Sequence, residues 1–520
     1  MSSCSKRCLI LLEKCRNMKH LKQAHAQVFT TGLHNNAFAI SRVLAFCSHP
    51  HQGSLTYACR VFEHIHHPTL CICNTIIKSF LRNGNFYSTF HVFTNMLQNG
   101  LRPDNYTIPY VLKACAALSS CSLGETIHGY SSKLGLVFDI FVGNSLMTMY
   151  CVFGDVVAAR HVFDEIPRLS EVSWTVMISG YAKVGDVDSA RLFFDEAPEK
   201  DRGIWGAMIS GYVQNSCFKE GLCLFRLMQL NDGAPDESIF VSILSACAHL
   251  GALDIGIWIH GYLSRERIPL SIRLSTSLLD MYAKCGNLEL AKRLFDSMPG
   301  RDIVCWNAMI SGLAMHGDGT NALKLFHDME KTGMKPDDIT FISVFTACSY
   351  SGMAYEGLKL LDKMYSVYKI EPKSEHYGCL VDLLSRGGLF EEAMVIIRRI
   401  TNSWNGSEET LAWRAFLSAC CNHGQAQLAE HAAERLPRLD NHSGVYVLLS
   451  NLYAASGKHS DARRVRDMMR NIGVDKAPGC SSVEIGGVVS EFIAGEETHP
   501  KMEEIHSLLK KMHMQLDYNH

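Results

Sequence analysis

The chain has 520 residues, 47% of them hydrophobic, and a formal net charge of −2. That near-neutral balance excludes a polybasic coat for nucleic acid, so any nucleic-acid binding must rest on local geometry. No run of about 18 apolar residues occurs, which excludes a membrane-spanning helix, and twenty cysteines without a secreted spacing pattern read as buried, reduced thiols of an intracellular or organellar protein.

In chain order, the first twelve residues carry Lys6 and Arg7 and no acid before Glu13, which suits a short import signal over 1–8. Beyond it the chain echoes itself. Leu112-Lys113-Ala114-Cys115-Ala116 returns 132 residues later as Leu244-Ser245-Ala246-Cys247-Ala248, and Met149-Tyr150 returns at the same interval as Met281-Tyr282. Met177-Ile178-Ser179-Gly180-Tyr181 recurs after 31 residues at Met208 and after a further 101 at Met309. These intervals are sums of units of 35 and 31, the mark of a tandem-repeat solenoid.

The stretch 303–337 shows what a unit contains. An apolar run around Trp306, Met309 and Ile310 stops near Gly317. A second run, Ala322, Leu325, Phe326 and Met329, returns at helical spacing, and Gly333 with Pro336 closes it. That is a helical hairpin, which buries its apolar faces only by stacking on its neighbours. The expected class is all-α, with the periodic Leu, Phe and Met as core. Farther on, Glu503, Glu504, Lys510 and Lys511 read as the solvated face of a last amphipathic helix.

The endings Gly100-Leu101-Arg102-Pro103-Asp104 and Gly333-Met334-Lys335-Pro336-Asp337, with mixed units of 35 and 31, resemble pentatricopeptide repeats of the plant PLS subfamily, whose ordinary (P), long (L) and short (S) motifs alternate. The resemblance implies a right-handed α-solenoid superhelix of helix-turn-helix repeats with TPR-like C-terminal helical motifs. The register is a truncated L motif at 9–36, then S 37–69, P 70–104, L 105–139, S 140–170, an S-like unit 171–201, P 202–236, L 237–271, S 272–302, P 303–337, L 338–373 and S 374–409. The stretches 410–443 and 444–477 resemble the E1 and E2 motifs, the second through Tyr446-Val447-Leu448-Leu449-Ser450-Asn451-Leu452-Tyr453-Ala454. The segment 478–520 resembles the E+ tail through Pro478-Gly479-Cys480-Ser481 and Glu491-Phe492-Ile493-Ala494-Gly495, with Ser482 where the family usually has Trp.

By that resemblance, single-stranded RNA lies along the array, one base per repeat, read by the fifth and last residues of each motif. The chemistry is reasonable: an Asn amide donates and accepts and reaches the smaller pyrimidines, a short hydroxyl leaves room for a purine, and a terminal Asp accepts the imino proton of U or G. The base-reading candidates are Asn74 with Asp104 and Asn307 with Asp337 for U, Thr175 with Asp201 and Thr276 with Asp302 for G, and Asn144 with Ser170 for C. Ser41 with Thr69 leans to purine. Gly206, before Asp236, has no side chain to read with. Pro109, Val241 and Ile342 in the long motifs, and Gly378, offer no base-specific hydrogen bond. The family register sets U six bases before the edited C, G at seven and ten, C at eleven and U at thirteen.

No His has Glu two residues on and no Cys-x-x-Cys occurs, so the zinc signature of a cytidine deaminase is missing and no metal, cofactor or catalytic residue is expected. His64, His66 and His67 read as a surface loop between repeats. The expected function is a specificity factor for C-to-U editing of an organellar transcript, not an enzyme. Its E1, E2 and E+ segments would recruit a trans-acting DYW-type deaminase and multiple-organellar-editing-factor proteins, with no membrane partner. Alternatives are a non-editing organellar RNA factor or a protein-binding scaffold. The resemblance implies the mitochondrion or the chloroplast, with the mitochondrion as the first choice.

Overall fold

Many of the leading helices begin where a polar side chain, such as Asn36, Asp139, Asp201, Ser271 or Asp337, closes the first turn. The computed structural model describes all residues except 1–2, 50–51, 66, 232, 404–406, 437–442, 475–478, 487, 496–500 and 518–520. In the unit used above as an example, the Asp302 carboxylate accepts from the Cys305 amide (2.9 Å) and opens the helix Ile303–Met315. Gly317, at φ 75°, ends it in the left-handed conformation that side chains resist. Asp318 then accepts from the Asn321 amide (3.2 Å) and opens Gly319–Lys331, which Gly333 closes at φ 81°.

The apolar spacing decides what these helices cover. Trp306, Met309, Ile310, Ala322, Phe326 and Met329 are all buried, each large one contributing about 1.5–3 kcal/mol by leaving water. A recurring aromatic contact joins successive repeats. Phe163 meets Trp174, Phe194 meets Trp205 and Phe295 meets Trp306, each edge to face at 5.0 Å.

Two compact units result, Met1–Asp236 and Glu237–His520. In the first, leading helices begin at Ser3, Ala37, Leu70, Thr107, Ile140, Glu171 and Arg202; in the second, at Glu237, Ile272, Ile303, Asp338, Ser374, Ser407 and Ser443. Within each unit, successive leading helices pack side by side, and each following helix also touches the leading helix of the next repeat. This is the helical-repeat solenoid expected from the sequence. Lys6 and Arg7 of the expected import signal lie within the helix Ser3–Glu13, whose Cys8 is buried.

The C-terminal segment departs from the all-α expectation. Strand β1 (Cys480–Ile485) pairs antiparallel with β2 (Val488–Ile493), Cys480 opposite Ile493 and Ile485 opposite Val488. The reason was present in the sequence: two runs rich in Val, Ile and Phe flank Gly486-Gly487, a two-residue hairpin signal. The Glu484 carboxylate of β1 accepts from the amides of Asp254 (2.8 Å) and Ile255 (3.1 Å). It thereby caps the helix Leu253–Arg265, whose own N-cap, Ala252, has no side chain to do so. The last helix, Met502–Asp517, forms as expected, but Leu508, Leu509, Met512 and Met514 are exposed along with its charges. Pro478 of the expected tail signature lies outside the described residues.

The cysteines also need a correction. Cys115, Cys348 and Cys420 are buried, and burial pushes each thiol up to about 12, but Cys71, Cys121, Cys223 and Cys480 are exposed. The exposed four fall on helix or strand positions that the repeat stack leaves open.

Candidate nucleic-acid interface

The last residues Ser170, Asp201, Asp302 and Asp337 are N-caps of the next leading helix, Asp104 lies two residues before its N-cap, Tyr106, and the fifth residue lies one turn into its own helix. Side-by-side packing therefore brings the two within reach, about thirty residues apart in sequence. Asn74 Nδ2 donates to Asp104 Oδ1 (3.1 Å), and Asn307 Nδ2 donates to Asp337 Oδ1 (3.0 Å). Asn144 Nδ2 donates to Ser170 Oγ at a longer 3.5 Å. Burial raises the Asp104 carboxyl, but hydrogen bonds from the Thr107 hydroxyl and amide, Asn74 and the Tyr106 amide outweigh it and hold Asp104 below the usual range. Asp302 is held low in the same way, burial being outweighed by bonds from Cys305 and neighbouring amides. Both remain acceptors at neutral pH.

The hydroxyl readers behave differently. Thr175 and Thr276 donate to their own helices, at Glu171 O and Ile272 O (2.8 Å each), and Ser41 donates to Phe38 O (2.9 Å). Thr175 and Asp201 still converge: a methyl placed on Gly203 would lie 3.4 Å from Thr175 Oγ1 and 3.3 Å from Asp201 Oδ2. Ser41 and Thr69 form the loosest pair, since Thr69 is exposed and makes no side-chain cap.

In the second unit, Thr276, Asp302, Asn307 and Asp337 share one open groove of about 740 Å³ with Val304 and Ile339. In the first, Asn74 and Asp104 lie in a groove of about 580 Å³ with Lys78, Arg82 and Tyr106. The grooves thus combine acceptors, amide donors, cations and apolar flats, the mixture that holds a single strand by its bases and phosphates.

Two features escaped the sequence reading. Phe38, Tyr106, Phe141, Val172, Val304 and Ile339, each second in its expected repeat, are exposed large apolar residues beside the reading positions. The signal was an apolar residue recurring where helical periodicity calls for a polar one. The second feature concerns the long repeats. There the last residue is engaged by the first residue of the same expected repeat: Asn105 donates to Asp139 (3.0 Å), Ser271 donates to Glu237 (2.7 Å), and Lys373 forms an ion pair with Asp338. Pro109, Val241 and Ile342 face no such partner, which accords with their lack of hydrogen-bonding atoms.

His64 and His67 are exposed, His64 Nδ1 lying 2.7 Å from the Arg60 carbonyl, while His66 lies outside the described residues. Among the described residues no cluster of three His, Cys, Asp or Glu is placed to hold a metal, and no helix is long and apolar enough to cross a membrane.

Comparison with known sequences decides the family. The description "PPR repeat" matches residues 144–170, 172–201, 203–232, 274–303 and 375–403; "PPR repeat family" matches 68–117 and 301–349, and "E motif" matches 423–484. A pentatricopeptide repeat-containing protein of Arabidopsis thaliana is 38% identical, with 98% of this chain and 79% of that protein covered. The chain belongs to the pentatricopeptide repeat family. Its E motif is consistent with the E subclass of the PLS pentatricopeptide proteins. Two further Arabidopsis thaliana pentatricopeptide proteins are similar. One described as mitochondrial is 37% identical, over 96% of this chain and 88% of its own; one described as chloroplastic is 36% identical, over 98% and 82%. The pentatricopeptide repeat protein PPR10, crystallised with an 18-nt psaJ RNA element, is similar in fold, with a TM-score of 0.50 at 16% identity over 91% of this chain and 78% of that one.

Proposed function

We propose that this pentatricopeptide protein binds single-stranded RNA by sequence, selects a C-to-U editing site in an organellar transcript and recruits a deaminase in trans through its C-terminal segments. The observation that carries the reading is the repeated amide–carboxylate pair. Asn74–Asp104 and Asn307–Asp337 present the same atoms in the same geometry, each in an open groove beside an exposed apolar residue. An amide next to an acceptor complements the carbonyl and imino N–H of uracil. PPR10 was crystallised with RNA, and relatives described as mitochondrial and as chloroplastic support an organellar site of action. The mitochondrion is the first choice. The E motif favours editing over passive RNA protection, since a bound array alone already blocks nucleases.

The test has two arms. In a binding series, the full chain should prefer an RNA with U six and thirteen bases, G seven and ten, and C eleven bases upstream of the target C. Each good contact should discriminate by at most about 1–3 kcal/mol, by analogy with paired base-edge contacts in DNA. In a plant lacking the protein, conversion should vanish at a small set of organellar cytidines. A chain without residues 478–520 should bind the RNA as before yet fail to restore conversion. Indifference to every base would overturn the RNA reading; full restoration by the shortened chain would overturn recruitment by the tail.

A further inference from the structure

An asparagine amide reads a base only if its nitrogen and oxygen are held the right way round, because a half-turn about the last bond exchanges donor for acceptor. Serine and threonine readers avoid that ambiguity by bonding to their own helices, as Ser41, Thr175 and Thr276 do. The asparagines do not, and at all three the same additional group is present. Thr107 Oγ1 donates to Asn74 Oδ1 (2.7 Å), Ser173 Oγ to Asn144 Oδ1 (2.8 Å) and Thr340 Oγ1 to Asn307 Oδ1 (2.6 Å). Each hydroxyl oxygen in turn accepts the amide of the preceding terminal residue, from Asp104 (3.3 Å), Ser170 (3.2 Å) and Asp337 (3.1 Å). The Thr107 and Thr340 hydroxyls also lie 2.8 Å from Oδ1 of Asp104 and Asp337, so their one hydrogen is shared between that carboxylate oxygen and the asparagine oxygen, both of which accept.

Resting on the reading of these pairs as base contacts, we propose that Thr107, Ser173 and Thr340 are specificity-determining positioning residues that fix the asparagine amide with its oxygen inward and one N–H toward the base. All three are fully buried and cannot touch RNA themselves. Helix capping alone does not explain them. Asp201 and Asp302 cap their helices through the amides of Ile204 (2.8 Å) and Cys305 (2.9 Å), with no hydroxyl at that place. The residues that follow the three hydroxyl readers at this position are Ile72, Ile204 and Cys305. The buried hydroxyl thus accompanies the asparagines and is missing where the reader orients itself.

The test compares full-length Thr340→Val and Thr340→Ser with the unaltered protein on RNAs differing only at the base facing Asn307 and Asp337. Thr340→Ser should keep the preference for U. Thr340→Val, equal in shape but without the hydroxyl, should lose about five- to tenfold of it, the worth of one buried hydrogen bond, with little change in affinity for the other three bases. Should Thr340→Val fail to fold by circular dichroism, Thr276→Asn alone is compared with Thr276→Asn/Cys305→Thr at the base those residues face. The double variant should favour U about fivefold more than the single one. Undiminished U preference in Thr340→Val, or equal preferences in the single and double variants, overturns the positioning role while leaving base reading intact. Indifference of the unaltered protein to all four bases overturns both.

Discussion

The long repeats and the remaining repeats share one way of stacking and differ in what they do with their last residue. At Asn307 and Asp337 the terminal carboxylate meets a side chain on the groove and keeps its second oxygen available. In the expected long repeat that follows, the terminal Lys373 is tied to Asp338 at that repeat's own start, and the fifth residue is Ile342. Three long repeats also carry a bolt on their second helix. His25, His128 and His260 pair with Tyr57, Tyr150 and Tyr282 of the following repeat at 2.8–2.9 Å. In the long repeats the terminal residue is thus tied within the stack, whereas Asn307 and Asp337 keep their pair on the groove.

If that division is right, the shared core should be indifferent to it. Phe326 and Phe345 are both fully buried, one on each side of the division. Phe326→Ala and Phe345→Ala should each cost about 3–5 kcal/mol in urea unfolding; a large inequality would mean that the two repeat types are not held by the same packing. The division itself is tested by Asp337→Ala against Lys373→Ala. The first should lose roughly tenfold in base discrimination at its position, within the ~1–3 kcal/mol ceiling for such contacts. The second should leave base preferences unchanged and barely move stability, because the ion pair it removes is exposed and screened by solvent. Altered base preference in Lys373→Ala would break the comparison.

The smallest effect is one of pH. Burial lowers the affinity of His25, His128 and His260 for protons below that of an unfolded imidazole near 6.5. The unfolded chain therefore takes up protons first as pH falls. Stability conferred by these groups is complete above pH 6.5 and declines below it, toward the lower folded values. The melting temperature should drop between pH 7.5 and 5.5, and His128→Gln should flatten that slope. Asp104 and Asp302, both held low, should keep base preference at their positions unchanged over the same interval; a preference that faded by pH 5.5 would contradict their ionised state.

Much of this was legible before any coordinates. The periodic apolar residues located the core, and the resemblance to pentatricopeptide repeats pointed to Asn74, Asn144 and Asn307, each fifth in its repeat, and to the last residues they meet. What stayed hidden has physical reasons. Thr107, Ser173 and Thr340 look like ordinary capping or core residues, because their second bond goes to a residue more than twenty-five positions earlier, on another helix. The hairpin at 480–493 has a local signal in its apolar runs and the Gly486-Gly487 pair, but the helical period of the preceding repeats masks so short a signal. The reach of Glu484 to Asp254, across 230 residues, has no local signal at all.

The glycines of the recurring Met-Ile-Ser-Gly motif carry a consequence of a different kind. A methyl group on Gly211 would sit 2.8 Å from Ala182 Cβ, and one on Gly312 would sit 2.6 Å from Ala283 Cβ, both closer than side chains ever lie. Gly180 meets Cys151 in the same manner. These glycines therefore set the stride from one leading helix to the next. A nucleic-acid strand has a stride of its own between phosphates, so on the proposed reading the array is a ruler laid against a ruler. An error of a few tenths of an ångström per division would leave the first mark aligned and put the last out of step.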